Sequence, residues 1–245
     1  MIITLKDGST REYGEPMSIY DIAKDISEGL ARVACVGEVN GEVKDLRTVI
    51  DSDCELNILT FDSDAGKHAY RHTCSHVLAE AVLNLYPEAK LAIGPAIDSG
   101  FYYDFDVEHP FSQEELTKIE AEMKKIVKEN LKFQVFELPR EEAIALMEER
   151  GEKYKVEHIG DLDEDARITF YQQGEYIDMC VGPHVCYTKA LKAFKLTGVS
   201  GAYWKNNKDN KMLTRVNGVA FATKEELDEH MRLLEEAKKR DHRKI

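Results

Sequence analysis

The sequence lacks any run of the roughly 20 consecutive apolar residues that a membrane-spanning helix needs. In a chain of 245 residues of which 32% are charged, this absence excludes an integral membrane protein. The first residues, MIITLKDGST, lack the cationic start and apolar core of a signal peptide. Cysteine is scarce: there are five, an odd number, with no C-x-x-C pair, which is typical of a reducing compartment. We therefore expect a cytoplasmic protein of two domains.

Positive charge is also in short supply, because the formal net charge is −13. This balance disfavours a broad contact with nucleic acid, since phosphate binding requires lysine and arginine. One segment reverses the balance: between Cys186 and Arg215 the only acid is Asp209, and the cations are Lys189, Lys192, Lys195, Lys205, Lys208, Lys211 and Arg215. This segment is either a solvated face or a local contact for an anion, and the charges alone favour neither.

Residues 1–61 predict a small α+β unit. The strand MIITL is followed by the turn KDGST and a returning strand, and Ser18 with Asp21 indicates the start of a helix whose apolar residues recur at helical spacing. The Asn40-Gly41 pair predicts a hairpin, and ELNILTF closes the unit. The order ββαβββ indicates a β-grasp, ubiquitin-like fold.

Residues 62–224 predict a second α+β domain. A helix that carries His72 ends before Pro87, and Ser112 with Glu115 forms a capping box for another helix. The segment EKYKVEH alternates in a way that predicts a strand around Lys155, and KLAIGPAI, GFYYDFDV and most of the chain from ITFYQQ to VAFAT predict further strands. Residues 225–245 predict a C-terminal helix without a stop signal, which we interpret as a linker helix.

Two pairs of chemically reactive side chains share a spacing of four residues. His72 and His76 fall on one face of the predicted helix, and Cys180 and His184 flank a Gly-Pro turn in the segment DMCVGPHV. If the pairs meet, three imidazoles and one thiol form either a tetrahedral zinc site or a polar pocket without metal. The spacing leaves both interpretations open.

Other residues are candidates for the same site. Asp178 lies two positions before Cys180 and shares its strand face if the strand is regular. Lys155 and Tyr103 add a cation and a phenol, whereas Cys74 and Cys186 are interpreted as packing residues.

The whole chain resembles the N-terminal region of bacterial-type threonyl-tRNA synthetases. Residues 1–61 are similar to the TGS domain, and residues 62–224 are similar to the editing domain, also called the second additional domain. The resemblance is carried by RHTCSHVLAEAV, AIGPAIDSGFYYDFD, GEKYKVEHI, EYIDMCVGPHV, TGVSGAYWKNNKDNKML and the terminal EEAKKRDHRKI. It implies post-transfer proofreading: hydrolysis of serine from wrongly charged threonine tRNA, because one missing methyl group gives only about 1–3 kcal/mol of discrimination.

The same resemblance implies roles for residues. His72, Lys155 and Asp178 are the expected catalytic residues, with His72 or Asp178 acting on the attacking water and Lys155 on the oxyanion. The 3′-terminal adenosine and its serine are expected to contact His76, Tyr103, Cys180 and His184. Editing is expected to need no cofactor or metal, although relatives that edit alanyl-tRNA errors hold zinc at the four positions that correspond to His72, His76, Cys180 and His184.

The resemblance also implies what lies outside this chain. The catalytic domain, with its ATP, magnesium and zinc, would follow the linker helix. We therefore expect a monomeric editing fragment without aminoacylation activity, and a full-length homodimer that joins threonine to its tRNA with ATP. The alternatives are an RNA-binding module without activity and a zinc-dependent aminoacyl-tRNA hydrolase of the alanyl-editing type.

Overall fold

The computed structural model describes residues 1–243. The elements of its N-terminal unit are β1 (Ile2–Leu5), β2 (Thr10–Glu12), β3 (Met17–Ser18), α1 (Ile19–Ile26), α2 (Glu28–Val33), β4 (Val36–Val39), β5 (Glu42–Lys44), β6 (Val49–Ile50) and β7 (Cys54–Leu59). The unit is built on a five-stranded sheet of order β2-β1-β7-β4-β5, with β1 and β7 parallel, and a separate short pair of β3 and β6.

Local signals explain this unit. Gly8 adopts a φ of +87° in the turn between β1 and β2, and Asn40 and Gly41 both have positive φ in the hairpin between β4 and β5. The hydroxyl of Ser18 caps α1 by accepting from the backbone N–H of Asp21 at 3.0 Å. The predicted mixed α+β architecture with an N-terminal β-grasp-like order is confirmed, with α2, β3 and β6 added to it.

The elements of the second unit are α3 (Asp64–Leu85), β8 (Lys90–Leu91), β9 (Ala96–Ile97), β10 (Gly100–Asp106), α4 (Gln113–Lys128), β11 (Gln134–Pro139), α5 (Arg140–Glu149), α6 (Lys153–Gly160), β12 (Arg167–Gln173), β13 (Tyr176–Met179), β14 (Ala193–Tyr203), β15 (Met212–Phe221) and α7 (Lys224–Arg243). Helices α3 and α4 pack on a sheet of order β14-β15-β10-β8, in which β9 also pairs with β10. A separate sheet has the order β11-β12-β13.

The prediction of a strand around Lys155 was wrong, because residues 153–160 form helix α6. Its buried residues, Tyr154, Lys155 and Ile159, fall on one helical face. Gly151, with a φ of +70°, ends α5 and reverses the chain just before α6. The alternation in EKYKVEH is too short to separate a strand from a helix.

The predicted strand KLAIGPAI is divided into β8 and β9, which both lie along β10. Pro95 has no backbone N–H and interrupts the regular ladder, but the carbonyls of Ile93 and Pro95 still accept from Asp104 and Tyr102 at 2.7 and 3.3 Å. The segment therefore follows β10 as a bulged edge.

The predicted C-terminal helix is present as α7, which begins at Lys224. The Thr223 hydroxyl caps it by accepting from the backbone N–H of Glu226 and donating to the Glu226 carboxylate. Lys244 and Ile245, the last residues of the predicted linker helix, lie outside the described residues. Within residues 1–243, no helix combines the length and the apolarity required to cross a membrane.

The two units share their cores. Cys35, Val36 and Phe61 of the N-terminal unit pack in the main hydrophobic cluster of the second unit. In the opposite direction, Cys186 packs in the cluster of the N-terminal unit, with Tyr187 against its edge. The segment that follows His184 is therefore held between both units.

Candidate functional site

Helix α3 presents a row of histidines. Its N-terminus is capped by the Ser63 hydroxyl, which accepts from the backbone N–H of Gly66 at 3.0 Å. His76 is buried and His72 is partly exposed, and their ring centroids lie 5.3 Å apart. Sequence inspection missed His68, which extends the same spacing of four residues onto the exposed surface, 6.0 Å from the His72 ring.

The turn after β13 brings the second pair to the first. Gly182 has a φ of +69°, and the β-carbon of any other residue at this position would overlap the hydroxyl of Tyr171. This turn directs Cys180 and His184 toward α3, and one donor atom from each of His72, His76, Cys180 and His184 lies within 4.8 Å of all the others. The two distant pairs therefore form one cluster.

A chain of hydrogen bonds determines which nitrogen of His184 carries the proton. The Thr73 hydroxyl donates to the carbonyl of Ala69 at 2.7 Å, so it accepts from Nδ1 of His184 at 3.0 Å. The Nε2 of His184 is then the unprotonated nitrogen, and it accepts from the Cys180 thiol at 3.2 Å. The Nε2 of His72 lies 3.4 Å from the same sulfur.

The buried environment keeps these groups uncharged. Burial, and next the neighbouring His76, lowers the pKa of His72 to about 3. Burial likewise lowers the pKa of His76 to about 4 and that of His184 well below its usual value. Burial raises the pKa of the Cys180 thiol to about 12, so at neutral pH the cluster holds neutral imidazoles and a thiol rather than a thiolate nucleophile.

Asp178 is the charged anchor beneath the cluster, and it is only 2% exposed. Its Oδ2 accepts from the hydroxyls of Tyr103 at 2.7 Å and Tyr176 at 2.5 Å, and Nε2 of His76 lies 3.6 Å away. Its Oδ1 is 2.9 Å from Nζ of Lys155. Burial alone would raise the pKa of Asp178, but the opposing charge of Lys155 and the Tyr176 hydrogen bond outweigh it and lower the pKa to about 2.

This arrangement distinguishes Asp178 from His72, the two residues that the sequence analysis offered as the group acting on the attacking water. A carboxylate with such a low pKa, whose oxygens already face two phenols and an ammonium group, is a poor acceptor for a proton of water. Lys155 lies on α6 with its Nζ 5.4 Å from the Tyr103 ring centroid. Because Asp178 holds both Tyr103 and Lys155, it fixes their positions at the wall of the site.

His76 retains an unused nitrogen. Its Nδ1 is buried without a hydrogen-bond partner among residues 1–243, while its Nε2 faces Asp178. A buried polar atom without a partner costs about 1–3 kcal/mol. This nitrogen is therefore an uncompensated polar atom inside the site that is closed to solvent.

The cluster opens into a cavity of about 430 Å³, a volume within the usual range for small-molecule sites. Every predicted site residue except His184 lines it. Sequence analysis missed further lining residues: His158, Met179 and Val181 lie close in sequence to predicted site residues, and the others lie farther away in sequence: Ala92, Ile93, Gly94, Pro95, Leu162, Arg167, Ile168 and Thr169. Val181 is 90% exposed beside Cys180, and the other exposed lining residues include Ile93 and Leu162 as well as His158 and Arg167, so the rim of the cavity is mixed.

The basic segment between Cys186 and Arg215 is only partly available to bind an anion, because several of its cations are already paired with acids. Arg215 forms a two-pronged contact with Asp104, and Lys211 and Lys205 pair with acids at 2.6 and 2.7 Å. Lys192 and Lys195 instead line a groove of about 500 Å³ between α4, β14 and α7, whose other cations are Lys124, Lys128 and Lys224.

The donor set is also compatible with a zinc ion. Two of the donor separations, 3.2 and 3.4 Å around Cys180, match the edges of a tetrahedral site with bonds of about 2.0–2.3 Å. Thr73 behind His184 and Asp178 behind His76 resemble the outer partners that orient metal-binding histidines. The residues therefore fit the metal. The thiol–imidazole hydrogen bonds satisfy Cys180 and His184 without it, but they leave Nδ1 of His76 without a partner.

Family models match both units. The model described as "TGS domain" matches residues 1–60. The model described as "Threonyl and Alanyl tRNA synthetase second additional domain" matches residues 168–217, which include Asp178, Cys180 and His184.

Similar proteins cover the chain almost completely. It is 62% identical over 243 residues to the threonine--tRNA ligase of Acetivibrio thermocellus, 56% identical to that of Clostridioides difficile and 58% identical to that of Clostridium acetobutylicum. Each match covers 99% of this chain and 38% of the relative. The chain thus spans well under half the length of these relatives.

Proposed function

Because this chain carries a TGS domain and a second additional domain and matches the N-terminal region of threonine--tRNA ligases, we propose that its cavity hydrolyses the ester of serine wrongly attached to threonine tRNA. The observation that carries this proposal is one cavity lined by His72, Cys180 and the Lys155–Asp178 pair, with His184 buried next to Cys180 in the same cluster. For the whole protein we propose ATP-dependent attachment of threonine to its tRNA and assembly as a homodimer, with this chain alone monomeric.

The chemistry requires attack of water on an ester carbonyl. The water oxygen bonds to the carbonyl carbon, the bond from that carbon to the ribose oxygen breaks, and the released ribose oxygen receives a proton that water gave up. His72 lies at the open side of the cluster and accepts a hydrogen bond from this water. With a pKa of about 3, it orients the water more than it removes its proton in the ground state.

Lys155 stabilises the charge that develops on the carbonyl oxygen. Lys155 is 5% exposed, and its ammonium group lies 2.9 Å from Asp178, so it is positioned before the substrate binds. A fixed cation in a site that excludes water stabilises a developing oxyanion far more than a solvated one. Asp178 acts on Lys155 and Tyr103 rather than on the water.

The proposed hydrolytic site selects the smaller side chain, serine, whereas the site that attaches the amino acid to tRNA selects the larger one, threonine. A site that binds threonine gains only about 1–3 kcal/mol from the extra methyl group over serine. A second cavity that admits the smaller side chain and excludes the larger one by shape multiplies the discrimination. His76, which lines the cavity, is the proposed contact for the serine side chain.

We further propose that hydrolysis needs no metal, with Cys180 donating its thiol proton to His184. Zinc analysis of the purified chain tests this: less than 0.1 zinc per chain with full activity after chelation is expected. Stoichiometric zinc, with loss of hydrolysis on chelation, would instead favour the zinc-dependent alternative.

The proposed reaction is tested by single-turnover hydrolysis of seryl-tRNA by the 245-residue chain. Lys155→Ala should lower the rate by about 100-fold, the usual effect of removing one oxyanion donor. Lys153→Ala, on the same helix but paired with Asp106 outside the cavity, is the matched control. A Lys155→Ala rate equal to that of Lys153→Ala would refute the role, and binding of tRNA without hydrolysis by the unsubstituted chain would favour the RNA-binding alternative.

A further inference from the structure

The loop between β5 and β6 of the N-terminal unit reaches the backbone of the turn that carries His184. Arg47 donates from Nε to the carbonyl of Phe133 at 3.0 Å, from Nη1 to the carbonyl of His184 at 3.0 Å, and from Nη2 to the carbonyl of Val185 at 2.7 Å. A single guanidinium group therefore binds three carbonyls that lie more than 80 residues away in sequence.

Asp45 completes the contact from the same loop. Its carboxylate pairs with Nη1 of Arg47 at 2.7 Å. Its Oδ2 also accepts from the backbone N–H of His184 at 3.1 Å and from the Tyr171 hydroxyl at 2.9 Å. The peptide groups on both sides of His184 are thus bound by Asp45 and Arg47, which we call the clamp pair.

The clamp pair also determines where the His184 ring lies. Tyr171, held by Asp45, packs edge-on against that ring at 4.5 Å between centroids. Phe133, whose carbonyl is held by Arg47, is nearly parallel to it at an interplanar angle of 4° and 5.8 Å. The backbone, and the aromatic groups on either side of the ring, are therefore fixed through the N-terminal unit.

The clamp pair is mostly buried, with side chains that are 15% and 17% exposed. Apart from their contact with each other and the Tyr171 hydroxyl, Asp45 and Arg47 bind main-chain groups, which carry no net charge. Because the planar guanidinium group is rigid, its main effect here is to fix the position of the backbone around His184 rather than to neutralise a charge.

We propose that Asp45 and Arg47 are positioning residues for the hydrolytic site, so that the N-terminal unit holds the Cys180–His184 turn in its reactive geometry. The proposal rests on the proposed function for its catalytic consequence. Loss of the clamp pair lets the turn move, and a displacement of about 1 Å in a catalytic constellation can lower a rate by about 100-fold.

The test compares Arg47→Ala, Arg47→Lys and Asp45→Asn with a matched pair in the same unit. Arg11 and Asp25 also form an ion pair, at 2.8 Å, but on the exposed surface of the N-terminal unit; Arg11→Ala and Asp25→Asn are the controls. Two quantities are measured on the 245-residue chain: amide hydrogen exchange of His184, and kcat and KM for seryl-tRNA hydrolysis.

We expect the clamp variants to speed exchange at His184 by at least about 10-fold and to lower kcat by about 10- to 100-fold, with KM within about twofold of the unsubstituted chain. Arg47→Lys should behave like Arg47→Ala, because lysine keeps the charge but cannot bind three carbonyls. The controls should match the unsubstituted chain in both measurements.

Unchanged exchange at His184 in folded Arg47→Lys would overturn the proposal, as would faster exchange with a kcat equal to that of the controls. Failure of the proposed function looks different: the unsubstituted chain then hydrolyses no seryl ester, and the exchange measurement alone decides whether the clamp pair holds the turn.

Discussion

Substitution of Asp178 by asparagine tests the centre of the site most severely. The change keeps the shape of the side chain but removes the negative charge that pairs with Lys155 at 2.9 Å, in a group that also accepts hydrogen bonds from Tyr103 and Tyr176. Because the group is 2% exposed, water cannot replace the lost partner. Removing one member of a buried pair costs about 3–5 kcal/mol, and the retained amide oxygen, which still accepts from the tyrosines, places the asparagine variant at the lower end.

A loss of about 3 kcal/mol corresponds to a fall of roughly 6–12 °C in Tm for a chain of this size, measured by calorimetry. Hydrolysis of seryl-tRNA should fall at least about 100-fold at a temperature where the variant is folded, because both Lys155 and Tyr103 lose their anchor. Asp104→Asn is the matched control: Asp104 is a buried carboxylate paired with Arg215 at 2.8 Å, and it is not a lining residue of the cavity.

Asp104→Asn should lower Tm comparably and leave hydrolysis at a temperature below both transitions within about threefold of the unsubstituted rate. Wild-type Tm and wild-type hydrolysis in Asp178→Asn would refute the anchor role. Equal losses of activity in the two variants would show that the effect on hydrolysis follows stability rather than position.

Two further predictions concern residues around the site. Burial raises the pKa of Glu80 to about 7, so between about pH 4.5 and 7 the folded state binds a proton that the unfolded state has lost, and the free energy of unfolding falls as pH rises through this range. In urea unfolding, Glu80→Gln should remove at most about 3 kcal/mol of this pH-dependent loss, whereas substitution of the exposed Glu114 by glutamine should not. An unchanged dependence of stability on pH in Glu80→Gln would contradict the reasoning. A β-carbon at Gly94 would overlap the Tyr103 ring, so Gly94→Ala should cost about 1–3 kcal/mol and impair hydrolysis, unlike Gly198→Ala, which meets nothing within 4 Å; wild-type behaviour of Gly94→Ala would contradict it.

The composite cluster could be predicted from sequence because each half has a local signal. His72 and His76 are four residues apart in a helical pattern, and Gly182 with Pro183 marks the turn that brings Cys180 and His184 out of the strand. Local spacing determines each pair, and the resemblance supplied the link between them.

The environment of the cluster could not be predicted in the same way. Gly94 and Arg167 reach the cavity through pairing of distant strands, and Asp45 and Arg47 contact the backbone of His184 across the junction of the two units. Such contacts depend on tertiary packing, for which a short pattern has no signal. Lys155 illustrates the local limit: five alternating residues favoured a strand, but the burial of Ile159 one turn later belongs to a helix.

The most direct test of the central claim is hydrolysis of two esters that differ by one methyl group. Seryl-tRNA and threonyl-tRNA, both made on threonine tRNA, are incubated with the 245-residue chain, and release of the amino acid is followed. We expect rapid release of serine and threonine release near the uncatalysed rate. Equal rates for both esters, or no release of serine above background, would contradict the claim that this cavity removes serine from threonine tRNA.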